Sequence, residues 1–167
     1  KLAERQSFRS ARPEISYKSN RVFQDFDICF PAPRIDAFDQ FAHCLERGLF
    51  TAGQMMTPSP FSTDFQFNDF AIQRYPPGSC GIGVHRDGLR YRHVVVIATL
   101  AGKSRLFSTP SRDGRKRRII DDRPGRIVLF SAPAFSGRAG EARPLHGVDH
   151  VQGGRLSMGL RVESPIK

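Results

Sequence analysis

The feature that most constrains this chain is a pair of potential metal ligands, His85 and Asp87, that are separated by one residue, with His146 far along the chain. On a β-strand alternate side chains point to the same face, so the His85 imidazole and the Asp87 carboxylate are predicted to project toward one point. Two histidines and one carboxylate form the ligand set of non-haem iron sites. We therefore expect a strand-rich fold that brings His146 beside the first two ligands.

The segment after His146 has the pattern of a strand with one polar and one apolar face. Gly153 and Gly154 predict a turn, after which alternate residues separate into two sets. The polar set is Arg155, Ser157, Gly159 and Arg161, and the apolar set is Leu156, Met158, Leu160 and Val162. Because a guanidinium group pairs bidentately with a carboxylate, the polar face predicts an anion site. The backbones of the two arginines are roughly 20 Å apart at ~3.3 Å per residue, so their side chains can converge only by leaning inward.

Together these motifs resemble those of the iron(II)/2-oxoglutarate-dependent dioxygenases over approximately residues 68–162. That family has a tyrosine-bearing strand, a His-x-Asp triplet, a distal histidine and then an Arg-x-Ser sequence. The matching residues here are Tyr75, His85, Asp87, His146, Arg155 and Ser157. Within the family the chain is most similar to the AlkB demethylase branch, whose last strand carries a second arginine where Arg161 stands.

The resemblance implies which residues bind the metal and the co-substrates. His85, Asp87 and His146 are expected to be the catalytic ligands of Fe(II), and O2 and 2-oxoglutarate the co-substrates. His146 is preferred to His150, because it stands at the distance from Arg155 that the family pattern requires. The residues expected to bind 2-oxoglutarate are Gln73, Tyr75, Arg155, Ser157 and Arg161.

The charge balance bears on the substrate. Lysine and arginine number 26 against 16 acidic residues, giving a formal net charge of +10, which favours DNA or RNA as a partner. The first hypothesis is AlkB-like oxidative N-demethylation of nucleic acid. The alternatives are 2-oxoglutarate-dependent hydroxylation of a small molecule or a protein side chain, and a non-catalytic cupin-like domain that binds metal or nucleic acid. Candidate substrate contacts are Arg90, Tyr91 and the tip of a predicted hairpin, Arg115, Lys116, Arg117 and Arg118.

The length of 167 residues and the element pattern predict one mainly β (α+β) domain. Its expected fold is a double-stranded β-helix, or jelly roll, with an N-terminal flanking helix or helices. The predicted segments are a basic arm at 1–22, a helical and loop flank at 23–64, and the jelly-roll core at 65–163. Apolar spacing of three and four residues predicts an amphipathic helix over 35–49, with Gly48 close to its end.

Three further expectations concern isolated residues and the setting of the chain. The three cysteines are widely spaced, which predicts no disulfide-linked partner and an intracellular (cytoplasmic or nuclear) location, with Cys80 as a small buried filler. No apolar run is long enough to cross a membrane, so no membrane association is expected. His93 is expected to be a satisfied structural histidine, and His150 a residue of the surface or of the surroundings of the site.

Overall fold

A curled antiparallel sheet and one long helix account for most of the residues that the computed structural model describes, which are 1–17, 20–135 and 143–163. In chain order the elements are a 3-10 turn (Ala3–Arg5), β1 (Arg9–Ser10), β2 (Glu14–Tyr17), β3 (Asn20–Asp25), β4 (Asp27–Cys29), α1 (Asp36–Gly53), β5 (Asp69–Tyr75), β6 (Gly81–His85), β7 (Tyr91–Thr109), β8 (Arg118–Ile120), β9 (Ile127–Ser131) and β10 (Leu145–Glu163). The predicted mainly β class is confirmed. Among the described residues, no helix combines the length and the apolar character needed to cross a membrane.

Two 19-residue strands, β7 and β10, lie at the centre of the sheet. They pair antiparallel along their whole length, from Leu145 opposite Thr109 to Glu163 opposite Tyr91. The first part of β10 also pairs with β6, and its second part pairs with β5. The resulting strand order is β1-β4-β5-β10-β6-β3-β2, with β8 and β9 attached to opposite ends of β7. One continuous strand therefore carries residues of both halves of the sheet.

Glycines allow the two long strands to bend between these halves. The register of β10 against β7 shifts between Asp149 and Arg155, and Gly153 and Gly154 have φ of 67° and 94°. Opposite them Gly102 has φ of 89°, and a Cβ there would lie 2.1 Å from the Gly154 carbonyl oxygen. A positive φ with no room for a side chain is accessible to glycine alone. The predicted turn at Gly153 and Gly154 is thus a bend within β10.

The sheet separates two apolar cores, because alternate residues of its strands face opposite sides. Val94 and Val96 of β7 belong to the core that α1 covers, together with Phe38 and Ala42 of the helix. Val95, between them, belongs to the inner core of the curled sheet. The other buried members of that inner core are Phe26, Tyr75, Ile82, Tyr91, Leu106, Phe130, Ala132, Val148 and Val151. The inner core surrounds the candidate site described below.

The helix is longer than predicted. It runs through Gly48 and ends at Gly53. A glycine inside a helix costs about 1 kcal/mol relative to alanine, and Leu49 and Phe50 beyond it pack against the core under α1. Tertiary packing therefore outweighs the local signal for termination.

The sheet begins earlier in the chain than the predicted core at 65–163. The strands β1 to β4 lie within the segments predicted as an arm and a flank. These strands have two to six residues, too short for a clear alternation of apolar and polar positions. Of these strands, β3 pairs with β6 and β4 pairs with β5, which lie far along the chain, while β2 pairs with β3 and β1 with β4.

The expectation for Cys80 is wrong, and that for His93 is met only in part, since its ring has a backbone hydrogen bond with Pro60 but not at both nitrogens. The sequence predicts a buried Cys80, but Cys80 lies exposed in the segment directly before β6. His93 lies at the edge of the aromatic cluster of Phe61 and Phe65, and its Nδ1 is buried without a hydrogen-bond partner among the described residues. His150 is exposed and pairs with Asp149, in line with the prediction of a surface residue.

Candidate metal and co-substrate site

The fold brings His85, Asp87 and His146 together. His85 ends β6 and lies opposite His146 near the start of β10, and Asp87 follows two residues beyond the end of β6. The potential ligand atoms of the three residues all lie within 4.8 Å of one another. His146 Nε2 is 3.6 Å from Asp87 Oδ2. The predicted ligands are therefore adjacent, although Asp87 lies in the segment after the strand rather than on it.

The hydrogen bonds of the two imidazoles direct the same nitrogen toward this point. The Nδ1 of His85 lies 2.8 Å from the Gly83 carbonyl oxygen, and the Nδ1 of His146 lies 3.2 Å from the Pro144 carbonyl oxygen. A carbonyl oxygen only accepts, so each neutral ring carries its proton on Nδ1 and keeps its lone pair on Nε2. Phe130 stacks on the His146 ring at 4.3 Å and 22°, which fixes the ring plane. Carbonyl-oriented imidazoles and a carboxylate fit a divalent metal ion.

The protonation states also suit metal binding. Loss of surrounding water, followed by the charge of His146, lowers the pKa of His85 from 6.5 to about 4. Loss of water raises the pKa of Asp87, but the positive charges around it, with His146 the largest, hold that pKa below its usual value. Arg143 contributes to this effect and also donates to the Asp87 carbonyl oxygen. A neutral imidazole and an ionised carboxylate are the states in which these groups bind metals.

This electrostatic arrangement predicts a pH dependence of the metal-free protein. The unfolded chain protonates its histidines near 6.5, whereas folded His85 does so only near 4, so the unfolded state binds more protons between these values. The free energy of unfolding should therefore fall as the pH is lowered from 6.5 to 4. Urea denaturation of wild type and of His85→Gln isolates this contribution, and the variant should show the shallower slope. The exposed control His150→Gln should retain the wild-type slope, and equal slopes for wild type and His85→Gln would contradict the prediction.

Arg155 lies buried at the start of the second part of β10. Its guanidinium group donates from Nη1 to Ser157 Oγ at 2.6 Å, from Nη2 to Thr99 Oγ1 at 3.2 Å, and from Nε to Asp122 Oδ2 at 3.3 Å. The Tyr75 ring lies 5.4 Å from its Cζ. The side chain of Arg155 is thus held by groups from several elements.

Tyr75 and Gln73 lie beside Arg155 on β5, directly opposite β10. The Tyr75 hydroxyl donates to Gln73 Oε1 at 3.3 Å. Burial raises the pKa of Tyr75 to about 12, so the hydroxyl stays protonated and can donate a hydrogen bond at neutral pH. The even spacing of Tyr75 and Gln73 predicts that they share one face of the strand, and their hydrogen bond agrees with this prediction.

Arg161 reaches the same cavity by folding back along β10. A Cβ at Gly159 would lie 3.0 Å from Arg161 Nη2, so the guanidinium group lies over the glycine. Its Nη1 donates to Asp69 Oδ1 at 2.7 Å, and the Tyr91 ring lies 5.1 Å from its Cζ. The Arg161 Nε is buried and has no hydrogen-bond partner among the described residues. The absence of a side chain at Gly159 leaves room for the Arg161 guanidinium group to lean back along β10.

One narrow cavity joins the metal ligands to the two arginines. It lies inside the curl of the sheet, and residues of β5, β6, β7 and β10 form its walls. The lining residues are Gln73, Tyr75, Ile82, His85, Asp87, Val95, Ile97, Leu106, His146, Val148, Arg155, Gly159 and Arg161. The residues predicted from the sequence to bind metal and 2-oxoglutarate thus line one cavity, except Ser157. Ser157 accepts a hydrogen bond from Arg155, which does line the cavity.

The candidate substrate residues lie elsewhere. Tyr91 is buried, its hydroxyl accepts from Arg90 at 2.7 Å, and Arg90 also pairs with Glu163 at 3.1 Å. In the hairpin, Arg117 pairs with Asp149 at 2.5 Å. None of the six candidates, Arg90, Tyr91, Arg115, Lys116, Arg117 and Arg118, lines the cavity in the part of the chain that the structure describes. Their role in binding a substrate stays a prediction.

Four residues of the site were not identified from the sequence. They are Asp69, Thr99, Asp122 and Phe130, which contact Arg161, Arg155 and His146. The alternation of β7 could have indicated Thr99, which follows Val95 and Ile97 on the inner face. Asp69 and Asp122 could not be assigned without knowing that they meet an arginine 92 or 33 residues away.

Several solved structures share this fold. A viral collagen prolyl hydroxylase from Paramecium Bursaria Chlorella virus-1, in its 2OG complex, has a TM-score of 0.64 at 14% identity, over 85% of this chain and 80% of its own. A Pseudomonas putida prolyl-4-hydroxylase has a TM-score of 0.58 at 18% identity, over 84% of this chain and 70% of its own. A Trichoplax adhaerens prolyl hydroxylase, in complex with a hypoxia inducible factor peptide fragment, has a TM-score of 0.58 at 18% identity, over 84% of this chain and 63% of its own.

These similarities concern the fold. No protein-family model matches the sequence, and no curated protein matches it either. The three structures are prolyl hydroxylases, so they do not support the specific similarity to the AlkB branch. The chain has the jelly-roll fold of these oxygenases, as the sequence predicts.

Proposed function

We propose that this protein is an Fe(II)- and 2-oxoglutarate-dependent oxygenase that hydroxylates a C–H bond of a protein side chain or a small molecule. The observation that carries the proposal is the cluster of His85, Asp87 and His146, whose ligand atoms lie within 4.8 Å of one another in the cavity that Arg155 also lines. The fold shared with prolyl hydroxylases supports this function, and one of those hydroxylases is in complex with a peptide fragment.

The three protein ligands suit iron because they leave part of its coordination sphere open. A site of two imidazoles and one carboxylate leaves positions for a co-substrate and for oxygen. A bound Fe(II) would supply activation of O2, the four-electron oxidant: two electrons come from oxidative decarboxylation of 2-oxoglutarate to succinate and CO2 and two from the C–H bond, with one oxygen atom in succinate and the other in the hydroxylated product. The protein contributes fixed ligands, because the hydrogen bonds from Nδ1 hold both imidazoles.

The remaining residues of the cavity would bind and orient the co-substrate. Arg155 would pair with the carboxylate of 2-oxoglutarate that is far from the metal, and protonated Tyr75 would donate a hydrogen bond to the same group. Arg161 adds a buried N–H donor at Nε. Charge-assisted hydrogen bonds of this kind are strong where water is excluded.

A second candidate function is oxidative N-demethylation of nucleic acid. It is favoured by the net charge of +10 and by Arg161 in the position typical of the AlkB branch. Several basic residues of the predicted nucleic-acid surface are engaged within the chain, as Arg117 is with Asp149 and Arg115 is with Asp113. Hydroxylation of a protein or small molecule is therefore the first proposal.

The test is an assay of succinate formation from 2-oxoglutarate with Fe(II) and ascorbate under air. Peptides, small molecules, and methylated single-stranded DNA and RNA are compared, and formaldehyde is measured in parallel. We expect succinate in wild type, stimulated by a peptide or small molecule without formaldehyde, and none in His146→Ala. The matched control is His150→Ala, an exposed histidine that should retain activity. Formaldehyde released from methylated nucleic acid would support demethylation instead, and no succinate under any condition would contradict both.

A further inference from the structure

The arginine expected to bind 2-oxoglutarate already has a carboxylate partner inside the protein. Asp122 follows β8, and its Oδ2 accepts from Arg155 Nε at 3.3 Å and from Ser104 Oγ at 2.8 Å. The two side chains are 7% and 1% exposed, so the ion pair is almost fully removed from water. Ser104, on β7, in turn fixes the position of the carboxylate.

The contacts of Arg155 leave a defined part of its guanidinium group free. A guanidinium group has five N–H donors, of which Asp122, Ser157 and Thr99 take one each. One N–H then remains on each of Nη1 and Nη2. Two N–H groups on adjacent nitrogens are what a carboxylate needs for bidentate pairing. Asp122 therefore occupies Nε, and one N–H of each terminal nitrogen is left for a ligand.

A flexible arginine would not stay in this orientation without such partners. Holding a long side chain in one geometry costs conformational entropy, which a ligand would otherwise have to offset. A buried guanidinium without a counter-ion also carries a large desolvation penalty. Asp122 supplies the counter-ion before any ligand arrives, so Arg155 can be buried and preoriented in the ligand-free protein.

We propose that Asp122 is a positioning residue that fixes Arg155 for a dicarboxylate and thereby makes the cavity select 2-oxoglutarate over keto acids that lack the far carboxylate. Thr99, directly opposite Ser157 on β7, assists by holding Nη2. This inference rests on the proposed function. It goes beyond it by assigning the choice of co-substrate to a residue that contacts neither metal nor co-substrate.

The neighbouring residue Asp121 provides a matched control. It is 48% exposed and pairs with Arg123 at 2.8 Å and with Arg126 at 2.9 Å, on the surface of the protein. The same substitution at two consecutive aspartates therefore separates a buried positioning role from a general loss of negative charge.

The experiment is anaerobic calorimetry of the Mn(II)-loaded protein with two ligands, 2-oxoglutarate and pyruvate. Pyruvate keeps the keto acid group but has no far carboxylate. Wild type should bind 2-oxoglutarate more tightly than pyruvate. In Asp122→Ala the affinity for 2-oxoglutarate should fall at least about tenfold, as expected for loss of an oriented charge-assisted contact, with pyruvate affinity unchanged. Asp121→Ala should match wild type for both ligands.

The outcomes distinguish the inference from the function on which it rests. If wild type prefers 2-oxoglutarate and Asp122→Ala keeps the same ratio of affinities, the positioning role is wrong while the proposed function stands. If wild type shows no preference for 2-oxoglutarate, the role of Arg155 in the proposed function is wrong as well.

Milder variants cover the case in which Asp122→Ala does not fold. Thr99→Val removes only a hydroxyl and should lower the preference for 2-oxoglutarate in the same direction by a smaller factor. Asp122→Asn keeps an acceptor for Arg155 Nε, so its ratio of affinities for 2-oxoglutarate and pyruvate should exceed that of Asp122→Ala. If Asp122→Ala is unfolded, the ratio in Asp122→Asn should be at least about half of the wild-type ratio. A wild-type ratio in Thr99→Val, or loss of the preference in Asp122→Asn, would overturn the inference.

Discussion

Asp87→Ala is expected to abolish turnover, with succinate formation falling at least about a thousandfold, because in the proposed function the carboxylate would both bind the metal and offset its charge. The two imidazoles that remain, of His85 and His146, are neutral ligands and would hold a divalent ion weakly. The positive charges around Asp87 hold its pKa below the usual value, so its carboxylate is ionised and available to a cation at neutral pH. The measurement is succinate formation together with the metal content of the protein after gel filtration.

The control for Asp87→Ala is Asp113→Ala, which removes an exposed aspartate of the hairpin between β7 and β8. That variant should retain wild-type turnover and one metal ion per chain. Thermal unfolding of the metal-free proteins should show that Asp87→Ala is folded. A folded Asp87→Ala that retains both metal and turnover would contradict the assignment of Asp87 as a ligand.

Gly81→Ala is expected to have the largest effect on stability of the glycine substitutions considered. Gly81 begins β6 with φ of 88°, and a Cβ there would lie 1.9 Å from the Val148 carbonyl oxygen on β10. Backbone would have to move, since no side-chain rotation relieves this contact. We expect a loss of at least about 4 kcal/mol, a large part of the stability of a domain. Because β6 and β10 carry His85 and His146, metal affinity should fall with it.

Gly125→Ala is the matched control for this prediction. Gly125 has φ of 86°, but a Cβ there would meet no atom within 4 Å. The cost should be limited to the positive φ, about 1–2 kcal/mol. Urea denaturation of both variants measures the difference, and equal losses of stability would show that the contact between β6 and β10 does not constrain Gly81.

The sequence identifies the candidate metal ligands better than the groups that hold the arginines. His85 and Asp87 are recognisable because their spacing is local, and Arg155 because the alternation of its strand is regular. Asp69 lies directly opposite Arg161 in the sheet, and this relation requires the register of β5 against β10. Chain-local patterns carry no information about that register, so the buried partners of Arg161 and Arg155 become visible only in the fold.

The direction in which the two arginine side chains lean illustrates the same limit. Extended-strand geometry separates their backbones by roughly 20 Å, and the sequence cannot say which way each side chain leans. In the structure Arg161 lies back over Gly159, whose lack of a side chain leaves the room. The signal available in the sequence is Gly159, the small residue next to Arg161 on the same face of the strand.

Each arginine of the cavity is balanced by its own carboxylate. Arg155 pairs with Asp122 at 3.3 Å, and Arg161 pairs with Asp69 at 2.7 Å. Buried charges persist in proteins when they are paired in this way. The positive charge that attracts an anionic co-substrate would therefore come mainly from the metal ion, which offers a physical reason for binding of the metal before 2-oxoglutarate.

The most direct test of the account is an anaerobic crystal structure of the protein with Mn(II) and 2-oxoglutarate. We expect one ion bound by His85 Nε2, His146 Nε2 and the Asp87 carboxylate, and the far carboxylate of 2-oxoglutarate on the terminal nitrogens of Arg155. An ion bound by other residues, or 2-oxoglutarate bound away from an Arg155 that stays enclosed by protein, would contradict it.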